Sequence, residues 1–505
     1  MGIFSIFQKK VKYDIDEPNK VCYVTSCGVG AKNIVIPETY MGYDVVGIQK
    51  NAFSGCKNLE TITLPHTLTT FKWQAFNGCE KLKNVYFNGT IEKWCGIYFS
   101  NYDEELKTYG HFHLSNPLHY GAKLYINGEE LTDLKIPNDL TEIREGAFEG
   151  CSSIKSLEID SENLTNIDNK AFYFCSSLEN VKIRAKELTI GLQAFTSCLA
   201  LKTLTLNGVA KICQDAFLNC KNLQDVYLDN KLQDVFGGSF YDCKSLQSIR
   251  YSGNVCEWNN INFGGIISNK AYDLYFNGEK LTNLSLENSS FSVKPYVFSM
   301  CKSITNLVIT NEIISVGKYA FSGCINLTDV VISDSVTSVG EGAFSDCINL
   351  AYVQIGTGLT TISSEMFKGD VKLKSILFPN NVDVIEKFAF SGSGLQEIVF
   401  PSIIKSIGER AFAHTEMTFI NLPINVQSIE AHAFKDSKIK TIYYQGTSKA
   451  WRKVKVAGQF LTSDKMTQYM RESLNNANVY FANKQIEEQQ NSSKTKQVEN
   501  SKTKV

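Results

Sequence analysis

The residues of this chain best suited to chemistry are three histidines in one short segment, His111, His113 and His119. Imidazole nitrogens that come this close together are potential zinc ligands, and carboxylates at positions 103–105 precede them. The alternative is that an exposed, polar segment carries histidines that bind nothing. We favour this alternative, and we expect neither a metal ion nor a cofactor.

Fifteen cysteines are a second possible source of metal or redox chemistry. No two of them form a Cys-x-x-Cys pair, which argues against the common zinc sites. Ten fall at one position of a sequence repeat, which we call the cysteine slot: Cys56, Cys79, Cys151, Cys175, Cys198, Cys220, Cys243, Cys301, Cys324 and Cys347. A small thiol that returns once per repeat is typical of a packing position, so we expect buried, reduced cysteines, with an occasional bridge between neighbours as the alternative. The last repeats carry Asp370, Ser393, Thr415 and Ser437 in the slot.

Motifs for catalysis are missing from the sequence. It contains no Gly-x-Ser-x-Gly elbow, no phosphate-binding loop and no His-Glu-x-x-His helix, so we do not expect an enzyme. The 51 basic and 52 acidic residues leave a net charge of −1 without a basic patch. We therefore expect no nucleic-acid partner.

The element that positions these residues is a repeat of 22 to 24 residues. A phenylalanine, usually after a small residue, marks each copy: Phe53, Phe76, Phe148, Phe172, Phe195, Phe217, Phe240, Phe298, Phe321, Phe344, Phe367, Phe390, Phe412 and Phe434. Leu-x-x-Ile-x-Ile or a near variant follows, as at Leu59, Ile62 and Leu64, and its alternation predicts a short strand. A second apolar pair such as Val339-Gly340 leads to the next phenylalanine. One copy cannot bury its apolar face alone, so we expect a stack of coils with a continuous core.

The unit SVTSVGEGAFSDCINLAYVQIG at 335–356 and the segments SIGERAF and NAFSGCKNLETITLP resemble the BspA-like leucine-rich repeat, over nearly all of residues 31–482. The resemblance implies a leucine-rich-repeat solenoid, a right-handed, extended or curved array of 22- to 24-residue coils lined by β-strands, with short or helical turns on the other side. It also implies a non-enzymatic, adhesin-like protein of the cell surface that binds a protein or a glycan. An intracellular scaffold or regulatory receptor that uses the same surface is the alternative.

Two insertions and a terminal segment interrupt the repeats, and all three carry the pattern aromatic-x-Gly-x-x-x-x-Trp, which ends at Trp94, Trp258 and Trp451. Either each indole fills the core where a coil bulges, which we favour, or the protruding loops contact a partner. These markers divide the chain into a cap at 1–50, repeat blocks at 51–87, 131–251 and 281–444, Trp-containing segments at 88–130, 252–280 and 445–483, and a disordered polar tail at 484–505.

The sequence carries no recognisable export signal. In its first ten residues an apolar run precedes the lysines, the reverse of a secretory signal, and no later stretch is long and apolar enough to span a membrane. The residues themselves therefore leave a cytoplasmic location open, whereas the resemblance implies the cell surface. We expect a monomer that does not insert into a membrane.

Partner binding is expected on the outer face of the strands, at the residues between the inward-facing aliphatics. These positions are largely polar in the first half of the chain and turn apolar in the second. The predicted contact residues are Val308, Val331, Tyr352, Leu377, Val399, Phe419 and Tyr443. An exposed apolar stripe of this size indicates an interaction site; the alternative is that β-branched and aromatic residues simply suit exposed strands.

Overall fold

The computed structural model describes residues 11–28, 30–103, 105–109, 114–286, 292–460 and 468–482. The chain forms two compact units. The first comprises the described residues up to 254 together with 261–270 and 275–278, and the second comprises 255–260, 271–274 and the described residues from 279 onwards. The predicted stack of coils is confirmed within each unit. The finer division into cap, blocks and insertions stays a prediction, and the tail proposed for 484–505 lies outside the described residues.

Each coil adds one strand, usually of three to five residues, to a parallel ladder that we call the long-strand ladder. Alternate side chains face opposite sides of a strand, so Leu157 and Ile159 are buried while Ser156 and Glu158 lie on the outer face. In the first unit one sheet holds Asn33–Val35, Thr61–Pro65, Asn84–Asn88 and Lys123–Ile126, and another holds Asp133–Ile136, Ser156–Asp160, Asn180–Ile190, Thr203–Ile212, Asp225–Leu228 and Ser248–Tyr251.

The second apolar pair of each repeat forms a further parallel ladder, mostly of two-residue strands, which we call the short-strand ladder. From the sequence we had expected short or helical turns on this side of the coil and had not predicted a second ladder. Its aliphatic residues are buried, as at Ile143 and Ile167, and coils stacked at strand spacing bring these backbones into register. In the first unit it comprises Tyr43–Ile48, Thr70–Phe71, Tyr98–Phe99, Glu142–Ile143, Asn166–Ile167, Asp234–Val235 and Asn262–Phe263.

Two strands of the first unit, Asn180–Ile190 and Thr203–Ile212, run through the corner between the ladders without a turn. Gly208 makes this possible because its φ of +73° belongs to the left-handed region and because its backbone crosses very close to the carbonyl oxygen of Ala185. A Cβ atom at position 208 would lie 1.8 Å from that oxygen.

Antiparallel strands close the beginning of the first unit. Val11–Asp16 pairs antiparallel with Val21–Cys27, which in turn pairs in parallel with Tyr43–Ile48. Thr39–Tyr40 also pairs with Tyr43–Ile48, in antiparallel orientation. This arrangement covers the first edge of the short-strand ladder, as a solenoid end requires. Two small additions are the hairpin of Tyr102–Asp103 with Thr108–Tyr109, and Glu129–Glu130 beside Lys123–Ile126.

The second unit repeats the two ladders. Its long-strand ladder comprises Asn283–Leu286, Asn306–Ile309, Asp329–Ile332 and Tyr352–Gln354, continues through single bridges at Leu377 and Val399, and resumes with Phe419–Leu422, Thr441–Tyr444 and Asn478–Phe481. Its short strands are Ser292–Val293, Ser315–Val316, Ser338–Val339, Thr361–Ile362, Val384–Ile385, Ser406–Ile407, Ser428–Ile429, Lys455–Val456 and Gln459–Phe460. The strands Asp273–Phe276 and Glu279–Lys280 occur where the chain changes from one unit to the other. The described helices are Ile91–Cys95, Val255–Asn260, Ser448–Trp451 and Gln468–Ser473.

Columns of identical residues build the core of each unit. Phe148, Phe172 and Phe195 stack face to face with ring centroids 5.1 Å and 4.9 Å apart, and Phe298, Phe321 and Phe344 do so at 5.4 Å and 5.5 Å. The ten slot cysteines are buried, as predicted, and their thiols form no disulfides. The Sγ of Cys175 donates to the carbonyl oxygen of Phe148 one coil earlier at 3.1 Å. The same contact recurs along the slot, which explains why a small donor is preferred there.

Candidate binding surfaces

The outer face of the second unit carries a column without a single charged residue. Backbone pairing places Ser285, Val308, Val331, Gln354, Leu377 and Val399 next to one another in successive coils. Asn421, Tyr443 and Tyr480 hold the same position in the coils that follow. We call these nine residues the uncharged column.

Most of the predicted contact residues are exposed, but they do not form a single line. Val308 is 43% exposed, Leu377 77% and Val399 72%, whereas Val331 and Tyr443 of the same column are half-buried. Tyr352 and Phe419, 52% and 47% exposed, lie two residues earlier on their strands, where Tyr352 is in register with Asp329. The stripe expected from the sequence is therefore two neighbouring columns, with Gln354 and Asn421 interrupting the first.

The equivalent column of the first unit has a different chemistry. It reads Lys135, Glu158, Lys182, Thr205, Tyr227 and Arg250 in successive coils. Lys135 pairs with Glu158 at 3.3 Å, and the guanidinium of Arg250 lies 4.0 Å from the ring centre of Tyr275. Charged groups that satisfy one another along this sheet of the first unit leave little apolar area to bury, so a hydrophobic contact is favoured on the uncharged column over this sheet.

The three motif tryptophans are all in the interior, each on a short helix. Trp94 and Trp258 are completely buried and Trp451 nearly so. The indole Nε1 of Trp94 donates to the carbonyl oxygen of Ala147 at 2.9 Å, and that of Trp258 donates to Val297 at 2.8 Å. Both acceptors directly precede a core phenylalanine, so each indole joins its insertion to the next coil. This placement favours the core-filling interpretation of the motif.

The glycine of the motif is explained by the aromatic residue two positions earlier. The backbone at Gly89 passes over the ring of Phe87, and a Cβ atom there would lie 2.6 Å from Cε1 of that ring. Gly446 lies in the same way over Tyr444, also with 2.6 Å to Cε1. Thr90 and Thr447 then cap the helices that carry Trp94 and Trp451, accepting hydrogen bonds from the amides of Lys93 and Ala450.

The histidine cluster can be followed only in part. His111 and His113 lie outside the described residues. The Nδ1 atom of His119 is 2.9 Å from Oε1 of Glu149, a carboxylate that is almost fully buried. Within the described ranges, no three side chains of His, Cys, Asp or Glu come together in a way that could hold a metal ion.

Among the described residues of the second unit, one carboxyl side chain is buried in the core. Asp370 occupies the cysteine slot and is fully buried; its Oδ1 accepts a hydrogen bond from the amide of Cys347 at 2.9 Å. Its Oδ2 is buried without a hydrogen-bond partner. Removal from water raises the pKa of this carboxyl well above its usual range, and the amide of Cys347 only partly opposes the effect. Burial therefore favours the protonated, neutral form of Asp370 in the folded protein.

A cleft of about 330 Å³ in the first unit was not predicted from the sequence. Trp73 and Tyr102 line it together with Lys50, Asp103 and Glu105. One feature of the sequence could have pointed to this cleft: Trp73 is the one tryptophan of the chain outside the repeated motif. None of the helices in the described part of the chain has the length and apolarity needed to cross a bilayer.

Solved structures similar to this chain include three bacterial proteins. A leucine-rich repeat protein from Bacteroides ovatus is 21% identical and has a TM-score of 0.48, with 90% of this chain and 98% of the other covered. A leucine rich cell surface protein from Faecalibacterium prausnitzii is 18% identical, with a TM-score of 0.42 and coverage of 90% and 97%. The pneumococcal vaccine antigen PcpA is 14% identical, with a TM-score of 0.33 and coverage of 94% and 96%. A comparison with curated proteins finds no match.

The family that matches is the BspA type leucine rich repeat region. Overlapping matches cover residues 26–155, 118–247, 269–394, 347–460 and 383–501, which is most of the sequence. The matched ranges include the phenylalanine columns, the cysteine slot and the segments that carry Trp94 and Trp451. The chain therefore belongs to the BspA type leucine-rich-repeat family.

Proposed function

We propose that this protein is a non-enzymatic binding protein whose second unit takes a protein partner on the uncharged column. Leucine-rich-repeat proteins typically act in protein interactions. The observation that carries the proposal is the uncharged column: none of its nine residues, each from a successive coil, is charged. Leu377 and Val399 are adjacent in it and mostly exposed. Centres of protein interfaces are depleted of charge and enriched in aromatic residues. Tyr352, Phe419 and Tyr443 supply the aromatic part.

The contribution of the column to the free energy of binding can be estimated from the exposed fractions of its side chains. Full burial of a Leu or Val side chain is worth about 1.5–3 kcal/mol. With 77% of Leu377 and 72% of Val399 exposed, each contributes about 1–2 kcal/mol when covered. Replacing both by Ser should thus weaken binding about 30- to 1,000-fold.

The partner is best identified from the column itself. A photo-crosslinking amino acid at Gln354, which is exposed between Val331 and Leu377, is expected to capture a protein in the native cell. The same amino acid at Lys182, on the outer face of the first unit, is the matched control. Equal capture from both positions would contradict the proposal.

The affinity of the captured protein is then measured with purified components. Leu377→Ser with Val399→Ser should weaken binding, and Lys135→Ser with Lys182→Ser should not. All four side chains are exposed, so both double variants should unfold within about 0.5 kcal/mol of the wild type. Unchanged affinity in the first double variant would refute the role of the column.

Family resemblance supports the adhesin-like, cell-surface form of this function. One observation favours the alternative, an intracellular scaffold or receptor: none of the ten slot cysteines forms a disulfide, whereas exported proteins commonly pair their cysteines. Protease treatment of intact cells separates the two locations. Digestion of this chain under conditions that spare a cytosolic marker would support the surface location, and its protection would support the scaffold.

A further inference from the structure

We propose that the cleft of the first unit lined by Trp73 and Tyr102 binds a neutral saccharide. This inference goes beyond the function proposed for the second unit and does not rest on it. The cleft, of about 330 Å³, lies in the size range of small-ligand sites. Its remaining side chains used below are Lys50, Lys72, Asp103 and Glu105.

Trp73 provides one wall of the cleft. The other three tryptophans are buried and belong to the repeated motif, whereas Trp73 is half-buried and outside it. The backbone of Trp73 is tied to the preceding coil, because its carbonyl oxygen accepts a hydrogen bond from the amide of Asn51 at 3.1 Å. The face of an indole is electron-rich, and the C–H groups on one side of a pyranose ring form a flat, weakly positive apolar surface that matches it.

Tyr102 provides a second aromatic side chain, and a hairpin holds it in place. It lies on the strand Tyr102–Asp103, which pairs with Thr108–Tyr109, and its ring packs on Tyr109 at 4.7 Å. The amide of Tyr102 donates to Oγ of Ser100 at 3.3 Å. Tyr102 is therefore held in place before any ligand arrives, which lowers the entropic cost of binding.

Asp103 is a buried carboxylate that positions Lys50 at the cleft. Its side chain is only 1% exposed, and its Oδ1 accepts from Lys50 Nζ at 3.1 Å and from the amides of Glu105 and Leu106 at 3.0 and 3.3 Å. Among the described residues, nothing donates to its other oxygen, Oδ2. Burial opposes ionisation, but these three hydrogen bonds outweigh it and lower the pKa of Asp103, so the carboxylate is charged at neutral pH. Because its side chain is almost entirely buried, Asp103 acts by holding Lys50, whose side chain is 31% exposed and whose ammonium group can donate to sugar hydroxyls.

The charges around the cleft cancel, which selects for a neutral ligand. Lys50 bridges Asp103 and Glu105, with 2.6 Å from its Nζ to Oε2 of Glu105, and Lys72 balances the second carboxylate. A ligand with a net charge of either sign gains little here, whereas hydroxyl groups can both donate to carboxylates and accept from ammonium groups. A larger cleft of about 410 Å³ in the same unit, with Arg184, Asp160 and Lys186 in its wall, has no aromatic side chain in its lining and does not share this chemistry.

The test is calorimetric titration of the full chain with maltotriose, cellotriose, mannotriose, triacetylchitotriose and lactose, and with 3′-sialyllactose as the acidic counterpart. At least one neutral sugar should bind with a dissociation constant of about 1 mM or tighter and change the tryptophan fluorescence. Trp73→Ala should weaken that binding about tenfold or more, Trp73→Phe should weaken it less, and Tyr98→Ala, an exposed aromatic outside the cleft lining, should leave it unchanged.

Asp103→Asn tests the polar half of the site and should weaken binding while thermal unfolding shows that the fold is kept. If that variant does not fold, the tryptophan variants still decide the matter. Failure of all five neutral sugars to bind, equal binding by Trp73→Ala, or tighter binding of sialyllactose than of lactose would overturn the proposal. Trp73→Ala should also leave crosslinking from Gln354 unchanged, so this site and the protein-binding column fail or succeed separately.

Discussion

Asp370 should make the second unit less stable as the pH rises, and replacing it should remove the effect. The fully buried carboxyl stands in the cysteine slot, and its pKa is raised well above the ordinary value by removal from water. Because the folded pKa is raised, the folded protein binds more protons than the unfolded chain. The stability contribution of this group is complete below the unfolded pKa of about 4 and is lost as the pH increases towards the folded pKa.

Two estimates give the size of the effect. A buried acceptor without a partner, such as Oδ2 of Asp370, costs about 1–3 kcal/mol. In addition, each pH unit between the unfolded and the folded pKa costs about 1.4 kcal/mol. Asp370→Ser copies the slot residue Ser393 and Asp370→Cys copies Cys347. Each should raise the free energy of unfolding by at least about 1–3 kcal/mol near pH 8, where both costs apply, and by less near pH 5, where the pH-dependent cost is smaller.

Urea unfolding of the full chain at both pH values measures this difference, and hydrogen exchange of peptides from 340–400 assigns it to the second unit. The amide of Cys347 is the direct reporter, since it donates to Oδ1 of Asp370. Comparing each variant with the wild type at the same pH removes the contribution of all other titrating groups. A gain of equal size at both pH values, or a larger gain at the lower one, would refute the assignment of a raised pKa to this carboxyl.

Three further outcomes follow from the packing. Gly89→Ala should destabilise the first unit by about 1–3 kcal/mol in urea unfolding because its Cβ would meet the ring of Phe87, while Gly96→Ala, which meets only a carbonyl at 3.4 Å, should change little. Trp258→Phe should lower the free energy of unfolding by about 2–4 kcal/mol, because it leaves a gap in the core and removes the donor to the carbonyl of Val297. A decrease of less than about 1 kcal/mol, the value of an ordinary hydrogen bond, would count against the core-filling role. In the folded protein a thiol reagent such as Ellman's should modify only the three half-buried thiols quickly and the twelve buried ones only in urea, because burial keeps the reagent from reaching the sulfur atoms. Rapid reaction of more than three thiols would contradict the buried ladder. The three are Cys27, Cys213 and Cys256.

The stack of coils could be predicted because the same interface recurs in every copy. A phenylalanine such as Phe321 meets its equivalents on both sides, so the spacing along the chain already contains the contact. The burial of the cysteine slot follows in the same way. The short-strand ladder was missed because two residues are too few for an alternating pattern, and the pairing of Ile143 with Ile167 depends on how the coils stack.

The saccharide cleft could not be predicted from periodicity, because its contacts occur once. Lys50 reaches Asp103 across 53 residues, and no repeat position connects them. The apolar stripe was predicted at the level of residues but not of geometry. The bridges between Gln354, Leu377 and Val399 place these side chains in one column. Tyr352 pairs with Asp329 and so lies in the other column. Only the register between coils shows this difference.

The near-identical spacing of the phenylalanine rings also bears on how such a gene can change. The ring centroids of Phe298, Phe321 and Phe344 are separated by 5.4 and 5.5 Å, so the two faces of the intervening coil are almost interchangeable. Excision of residues 322–344 in frame would bring together surfaces that already match, and duplication of the same stretch would insert a coil that fits. Recombination between repeats can thus lengthen or shorten the binding face by whole coils while each intermediate remains a folded protein.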